Sequence, residues 1–271
     1  DCRQGYWIDR KKAWKNLIQD KGESRENAHK ARGIFDSIAY GTSIFDPVLA
    51  EVILTWFGLP KCKVFDCFAG DTVFGYVSSY LGHTFSGIEL RKEQVHHNSA
   101  RIAKFKQSKY ICDDGQNVNK HIQPNTQDLF FSCPPYYDLE KYSDLNNDAS
   151  NQASYADFMQ ILDNAFTNAI KCLKDNRFAV IVVGDIRDEH HAYRGFVDDV
   201  KRIFNAHNMI TYNEIIKLDS VGTAAFRASK SMKARKVVKT HQNVLAFYKG
   251  DPNIIKKQYP VINYETADLE L

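Results

Sequence analysis

The stretch VFDCFAGDTVFG (residues 64–75) decides the fold class. Its apolar start is typical of a short strand, Asp66 closes that strand, and Gly70 turns the backbone before a helical pattern begins. A strand that passes through a glycine turn into a helix starts a βαβ unit, and small residues in the turn allow a ligand to approach the main chain. The spacing is not GxGxxG, and the sequence contains no GK[ST] phosphate loop.

The same alternation continues along the chain. Strand patterns follow at 85–90, 109–114, 128–137 and 178–185, and helical patterns lie at 72–82, 92–106, 154–173 and 194–207. The last two strand patterns, 213–218 and 243–250, have no clear helix between them. Alternating strands and helices predict an α/β fold with a mostly parallel seven-stranded sheet, and the final pair predicts an antiparallel edge strand.

Composition excludes several classes of protein. The 271 residues are 44% hydrophobic and 25% charged, which is close to globular averages and excludes disordered and fibrous chains. The longest clean apolar run, 178–183, is far shorter than the ~20 residues of a membrane helix, and no signal peptide opens the chain at Asp1. Six cysteines without a CxxC pair predict reduced thiols and a cytoplasmic location, and nine histidines without HExxH spacing predict no metal site.

Positive charge is concentrated in one segment. The net charge is only +3, from 36 basic and 33 acidic side chains. Residues 227–239 hold six basic side chains and no acid: Arg227, Lys230, Lys233, Arg235, Lys236 and Lys239. Such a cluster can contact a phosphate backbone, although a solvated loop would have the same composition.

Acidic residues end three successive predicted strands. Asp66 ends the first, Glu89 in GIEL (87–90) ends the second, and Asp113 and Asp114 end the third. Because parallel strands end at one edge of a sheet, these carboxylates are expected to lie together there. Glu89 is placed to accept hydrogen bonds from ribose hydroxyls, and the third acid to meet an adenine amino group. The sequence therefore predicts an adenosine site.

The segment FFSCPPYYDLEKYS (130–143) is the sharpest chemical signal. Pro134 and Pro135 directly follow an apolar strand, where they restrict the backbone and remove two amide donors. The carbonyl groups of Cys133 and Pro134 can then accept from an exocyclic amino group, while the ring of Tyr136 stacks on a flat base. Residues 138–154 are polar and turn-rich, which suits a mobile loop over that base.

Taken in order, the segments GTSIFDP, DCFAG, GIEL, CDD, SCPPYYDLEKYS and THQNVLAFYKGDP resemble the DNA amino-methyltransferases, in particular the phage and bacterial DNA modification methylases. The resemblance covers about residues 6–252. It implies the Rossmann-like fold of class I methyltransferases, S-adenosylmethionine as cofactor, no metal, and double-stranded DNA as partner. It also implies methylation of adenine N6 or cytosine N4 on a flipped-out base, often within restriction–modification.

The resemblance also implies roles for single residues. The cofactor-binding positions would be Thr42, Ser43, Phe45, Asp66, Phe68, Gly70, Glu89 and Asp114. The catalytic turn would be Cys133, Pro134, Pro135 and Tyr136. Two positions depart from the family pattern. Cys133 stands where Asp, Asn or Ser is usual, so Ser132 is an alternative acceptor if the turn is shifted. The glycine turn reads GDT where many relatives have a second glycine.

The sequence predicts three regions, and it leaves alternatives open for the substrate and the mechanism. Residues 1–40 are predicted to form a basic helical extension, 41–252 the catalytic domain and 253–271 a tail. Instead of DNA, the substrate could be RNA or a protein glutamine amide, because such enzymes share the proline-proline-tyrosine turn. A catalytically inactive DNA-binding relative is a further alternative. A thiolate nucleophile like that of cytosine-C5 enzymes is disfavoured because Cys133 precedes the prolines. The oligomeric state is open between monomer and homodimer.

Overall fold

The structure, a computed structural model, describes residues 2–18, 44–139, 142–219 and 224–262. Two predicted cofactor residues, Thr42 and Ser43, lie outside the described residues. The second half of the predicted N-terminal basic helix lies outside them as well.

The strands form one seven-stranded sheet in the order β3-β2-β1-β4-β5-β7-β6. Their bounds are β1 (Lys63–Asp66), β2 (Thr84–Glu89), β3 (Lys109–Cys112), β4 (Gln127–Ser132), β5 (Leu173–Val183), β6 (Met209–Leu218) and β7 (His241–Lys249). Strands β1 to β5 pair in parallel. The prediction of a mostly parallel seven-stranded sheet is confirmed.

One strand runs against the others, and it does not lie at the edge. β7 pairs antiparallel with both β5 and β6, so it lies between them and β6 is the edge strand. The predicted antiparallel pairing at the edge is confirmed by β6 and β7, and β7 adds a second antiparallel pairing with β5. The strand order depends on long-range pairing, which local patterns do not encode. A helix also lies between β6 and β7, where the sequence pattern showed none.

The helices of the described part of the chain cover both faces of the sheet. They are α1 (Gly5–Ile18), α2 (Pro47–Phe57), α3 (Val73–Tyr80), α4 (Lys92–Ile102), α5 (Val118–His121), α6 (Tyr155–Cys172), α7 (Phe196–Ala206), α8 (Ala224–Lys233) and α9 (Ile255–Gln258). Buried side chains of α1, α2 and α3 pack on one face, and those of α6 and α7 on the other. Gly75 lets α3 approach closely, because a Cβ atom there would lie 2.3 Å from the Tyr110 hydroxyl.

The N-terminal helix is part of the core. Trp14 is fully buried, and its Nε1 atom donates a hydrogen bond to Glu51 of α2 at 2.7 Å. Arg10 forms an ion pair with the same carboxylate. A buried carboxylate needs such partners, so these contacts attach α1 firmly to α2. The predicted domain boundary near residue 40 lies outside the described residues.

The first residues after β7 also pack on the sheet. Tyr259, within the predicted tail, makes an edge-to-face contact with Phe178 of β5 at 5.2 Å between ring centroids.

The six cysteines all lie within the described residues, and no disulfide joins any two of them. Among the described residues, no helix combines the length and the apolar character that crossing a membrane requires.

Candidate active site

A cavity of about 430 Å³ opens at the carboxyl edge of the sheet. It lies between the ends of β1 and β4, where the strand order reverses, and such switch points are the usual ligand sites of parallel sheets. It is lined by segments 44–46, 66–71, 88–91, 114–115, 133–136 and 147–149, and by Lys11, Leu49, Phe74, Phe131, Tyr142, Lys217 and Gln242. The described cofactor and catalytic residues predicted from sequence all border this cavity.

The glycine turn after β1 forms the floor of the cavity. Gly70 has a φ of 52°, a left-handed conformation that glycine adopts without strain. The buried side chain of Asn98 on α4 donates a hydrogen bond from Nδ2 to the Gly70 carbonyl at 2.8 Å. The half-buried ring of Phe68 contacts Phe166 edge-to-face at 6.0 Å. The turn is therefore held from both faces of the sheet.

Asp66 connects the glycine turn with the proline turn. Its Oδ1 atom accepts from the Phe68 amide and from the Ser132 hydroxyl, both at 2.8 Å. Burial raises the pKa of the Asp66 carboxyl group to about 7, although both hydrogen bonds act in the opposite sense. Ser132 is itself fully buried and points at Asp66, so it does not take the place of Cys133 in the turn. The alternative of a shifted turn is wrong.

Glu89 lies across the glycine turn from Asp66. Its Oε2 atom accepts from the Gly70 amide and its Oε1 atom from the Arg91 amide, both at 3.0 Å. The Arg91 guanidinium lies 3.5 Å from Oε1. Burial raises the pKa of the Glu89 carboxyl group, although these donors act in the opposite sense. Since an ionised carboxylate offers about four lone-pair sites, Glu89 keeps capacity for further donors.

The two acids after β3 face different partners. Asp114 lines the cavity, and its Oδ2 atom accepts from Asn147 at 2.9 Å. Asp113 instead contacts His121 at 2.6 Å, and hydrogen bonds from Asn117 and His121 lower the pKa of its carboxyl group. The structure thus brings Asp114, and not Asp113, to the predicted adenine end of the cavity.

The segment before α2 is attached to the glycine turn by Asp71. Its Oδ2 atom accepts from the Phe45 amide at 2.5 Å, and its Oδ1 atom accepts from the Val73 amide at 2.7 Å. The ring of Phe45 contacts Phe131 edge-to-face at 5.1 Å. Asp71 is the residue that departs from the glycine pattern, so the departure supplies a buried acceptor that positions Phe45.

The proline turn carries its aromatic ring into the cavity. Tyr136 is half-buried, and its Oη atom accepts from Nε2 of Gln242 on β7 at 3.2 Å. The Cys133 side chain lies beside the same hydroxyl group, and burial raises the pKa of that phenol. Pro134 is buried and Pro135 half-buried. The Tyr136 hydroxyl is thus fixed from the turn itself and from a distant strand.

The loop after this turn is more structured than the sequence indicated. Within residues 142–151, Asn151 donates from Nδ2 to the carbonyl groups of Ser143 and Leu145 at 2.7 and 3.0 Å. Asp148 is buried and accepts from Ser143 and Ser150. The expected mobile loop is therefore held by its own hydrogen bonds, and Asn147 joins it to the Asp114 end of the cavity.

The basic segment lies near the carboxyl ends of the parallel strands, where the cavity also opens. β6 ends and β7 begins beside the carboxyl end of β5, and α8 lies between them in the chain. Arg227, Lys230, Lys233 and Arg235 are exposed and Lys236 is partly exposed. Lys239 differs, because its Nζ atom donates to the Asp185 carbonyl at 3.0 Å and burial lowers its pKa. Lys239 thus makes a contact within the fold that the exposed side chains of the segment do not make.

Several residues of the site carry no local sequence signal. Asn98, Lys217 and Gln242 come from a helix and two late strands that motif reasoning did not connect with the cavity. Asp71 was visible as a departure from the glycine pattern, but its contact with Phe45 required the fold.

The sequence matches no family model and no curated protein. Solved structures with a similar fold were found. PH1948 from Pyrococcus horikoshii, a proposed RNA methyltransferase, is 12% identical over 89% of this chain and 100% of that one, with a TM-score of 0.53. TrmN from Thermus thermophilus is 11% identical over 76% of this chain, with a TM-score of 0.52. The chain spans about half the length of TrmN, at 49%.

A third comparison bears on the DNA resemblance. TTHA0409 from Thermus thermophilus, a proposed DNA modification methylase, is 18% identical over 57% of this chain and 56% of that one. Its TM-score of 0.39 is too low to carry an argument. The comparisons therefore show the fold alone: the chain has the Rossmann-like fold of class I S-adenosylmethionine-dependent methyltransferases.

Proposed function

We propose that this chain is an S-adenosylmethionine-dependent methyltransferase that modifies the exocyclic amino group of a DNA base, cytosine N4 or adenine N6. One observation carries the proposal: the turn Cys133–Tyr136 and the acids Asp66, Glu89 and Asp114 line a single cavity at the switch point of the sheet. This arrangement supports the proposal, because the turn that would accept the amino group and the acids that would bind an adenosine-containing methyl donor border the same cavity.

The lining of the cavity fits the proposed cofactor. Six carboxylates and three basic groups line it among the described residues, an excess of negative charge that suits a ligand with a sulfonium and an ammonium group. In this proposal, Glu89 accepts from the ribose hydroxyls with its remaining lone pairs, and Asp114 accepts from the adenine amino group. The volume is also within the range of cofactor pockets.

The chain's own residues then position the reacting base. When bound, the cofactor supplies an activated methyl group on its sulfonium. The target base has to leave the duplex, because its amino nitrogen is otherwise paired. The Tyr136 ring stacks on the base, and the main-chain carbonyl groups of Cys133 and Pro134 accept its amino hydrogens. Catalysis then comes from orientation and electrostatic stabilisation.

The position of α8 favours a nucleic acid as substrate. Four exposed basic side chains and the partly exposed Lys236 lie in the connection between β6 and β7, whose ends are at the catalytic edge. Phosphate contacts from such a segment would hold a duplex next to the cavity. Double-stranded DNA as partner, a role in restriction–modification, a phage or bacterial origin and a cytoplasmic location belong to the proposal as predictions.

The test is methyl transfer from labelled S-adenosylmethionine to duplex DNA, RNA and a protein extract, with Tyr136→Ala as the inactive control. Digestion of the DNA to nucleosides should give labelled N4-methylcytosine or N6-methyladenine. If label appeared only in RNA or only in protein glutamine, that molecule and not DNA would be the substrate. Binding of DNA and cofactor without any transfer would identify a catalytically inactive relative.

A further inference from the structure

The N-terminal helix α1 contributes a cation to the cavity. Lys11 lines the cavity, and its Nζ atom lies 3.1 Å from Oδ2 of Asp46. The Lys11 side chain is 36% exposed, whereas that of Asp46 is 7% exposed. The same Asp46 carboxylate also accepts from the Val48 amide at 3.0 Å and from Trp7 Nε1 at 3.3 Å. Asp46 therefore has two neutral donors in addition to Lys11.

A chain of direct contacts places Lys11 relative to the acids. Glu89 accepts from the amide of Gly70, which precedes Asp71 in the turn. Asp71 accepts from the amide of Phe45, and the next residue, Asp46, contacts Lys11. These contacts connect Lys11 to the glycine turn through the Phe45–Asp46 segment and Asp71, whereas Glu89 contacts the turn directly at Gly70.

The other cations at the described cavity wall are engaged elsewhere. Arg91 lies beside Glu89, at the ribose end. Lys217 is paired in register with Gln242, beside Tyr136, and forms an ion pair with Asp219. Among the described lining residues, Lys11 is therefore the cation that contacts the segment before α2, at Asp46.

We propose that Lys11 binds the carboxylate of the cofactor's amino-acid portion. The inference rests on the proposed function and deepens it. A ligand with adenosine at Glu89 and Asp114 extends its amino-acid chain across the glycine turn towards Phe45 and Lys11. The two positive groups of that chain suit the carboxylates around the turn, while its one negative group needs a cation. Lys11 meets that need with a charge-assisted hydrogen bond.

The proposal gives the N-terminal helix a role in binding as well as in folding. Trp14 and Arg10 attach α1 to α2 through Glu51, which places Lys11 at the cavity mouth. A ligand that lacks the carboxylate has no interaction with Lys11 to lose. Affinity for two ligands that differ only in that group therefore isolates the contact.

The experiment is calorimetry of wild type, Lys11→Gln and Lys12→Gln with two ligands. One ligand is S-adenosylhomocysteine, and the other is its analogue with hydrogen in place of the carboxylate. Lys12 is the matched control, because it is the exposed neighbour on the same helix and undergoes the same charge change. Lys11→Gln should bind S-adenosylhomocysteine about ten- to a hundredfold more weakly. Its affinity for the analogue should match that of wild type, and Lys12→Gln should bind both ligands as wild type does.

Equal weakening of both ligands by Lys11→Gln would overturn the proposal, since Lys11 would then act only through Asp46 and the packing of α1. Unchanged binding of both ligands would overturn it as well. The proposed function fails separately, if wild-type protein binds neither ligand. Thermal melts of the three proteins establish that a loss of affinity is not a loss of folding.

Discussion

Gln242 donates a hydrogen bond from Nε2 to the Tyr136 hydroxyl group at 3.2 Å, across 106 positions of sequence. Gln242 is the second residue of β7, directly after the basic segment, and Tyr136 closes the proline turn after β4. The contact joins the strand that follows the basic segment to the turn that the proposed function assigns to base stacking. It restrains the ring through its hydroxyl group.

The first prediction tests that restraint. Gln242→Leu should lower the rate of methyl transfer about three- to tenfold, because a net hydrogen bond contributes about 1 kcal/mol. The KM for the cofactor should stay unchanged. In a Tyr136→Phe background, Gln242→Leu should cause no further loss, since the hydroxyl group is already absent. Steady-state kinetics of the four proteins measure the cycle, and fully additive losses would show that Gln242 acts elsewhere.

The second prediction concerns Cys133. If it contributes its main-chain carbonyl and a contact with the Tyr136 hydroxyl, Cys133→Ser should keep or raise activity, because a hydroxyl group accepts hydrogen bonds better than a thiol. A covalent thiolate mechanism requires the opposite, since serine without an adjacent base is a poor nucleophile. Transfer from labelled cofactor decides between them. An inactive Cys133→Ser protein that folds and still binds cofactor and DNA would restore the thiolate hypothesis.

The third prediction concerns cofactor affinity. Glu89→Gln should weaken binding of S-adenosylhomocysteine about tenfold or more, because hydrogen bonds to a charged acceptor contribute about 1.5–3 kcal/mol. Calorimetry measures the loss, and Glu93→Gln is the matched control. Glu93 lies four residues later, with a side chain that is 72% exposed. Equal affinities of the two folded variants would remove Glu89 from the ribose site.

The fourth prediction concerns the basic segment. Replacing Lys233, Arg235 and Lys236 by Gln should weaken DNA binding for all sequences. The slope of log affinity against log salt should fall by about 0.9 for each phosphate that the variant no longer neutralises. The matched control is a second triple variant with three exposed lysines of the opposite sheet edge changed to Gln: Lys109, Lys256 and Lys257. If both variants flatten the slope equally, binding depends on net charge and not on this segment.

The fifth prediction follows from the buried carboxyl group of Asp66. Its folded pKa of about 7 lies above the ordinary value of 3.8, so the folded protein binds the proton more tightly than the unfolded chain. Its contribution to stability is therefore greatest at low pH and decreases as the pH rises towards 7. Between pH 6 and 8, the free energy of unfolding of the wild type should fall by about 1 kcal/mol more than that of Asp66→Asn. Urea denaturation at both pH values measures it; parallel losses in the two proteins would refute a titration of Asp66.

Local patterns predicted the parts of the site that follow each strand. Asp66, Glu89 and Asp114 were found because parallel strands end at one edge, and the two prolines after β4 mark their turn directly. Gln242 could not be found in this way, because its contact with Tyr136 depends on β7 inserting between β5 and β6. The contact of the Lys239 ammonium group with the Asp185 carbonyl could not be predicted either, because composition does not reveal such contacts.

The inserted antiparallel strand has a consequence for engineering. The Asp219 amide donates to the Thr240 carbonyl at 2.9 Å, so the chain leaves the sheet and returns to it at nearly the same point. A different connection that keeps Lys239, whose ammonium group contacts the Asp185 carbonyl, would therefore leave and rejoin the sheet at the same two positions. Under the proposed function, grafting connections of other lengths and charges between Asp219 and Thr240 would change the preference for a nucleic acid while Gln242 keeps its position in β7. Such interchangeable cassettes offer a route to libraries of altered preference on one unchanged core.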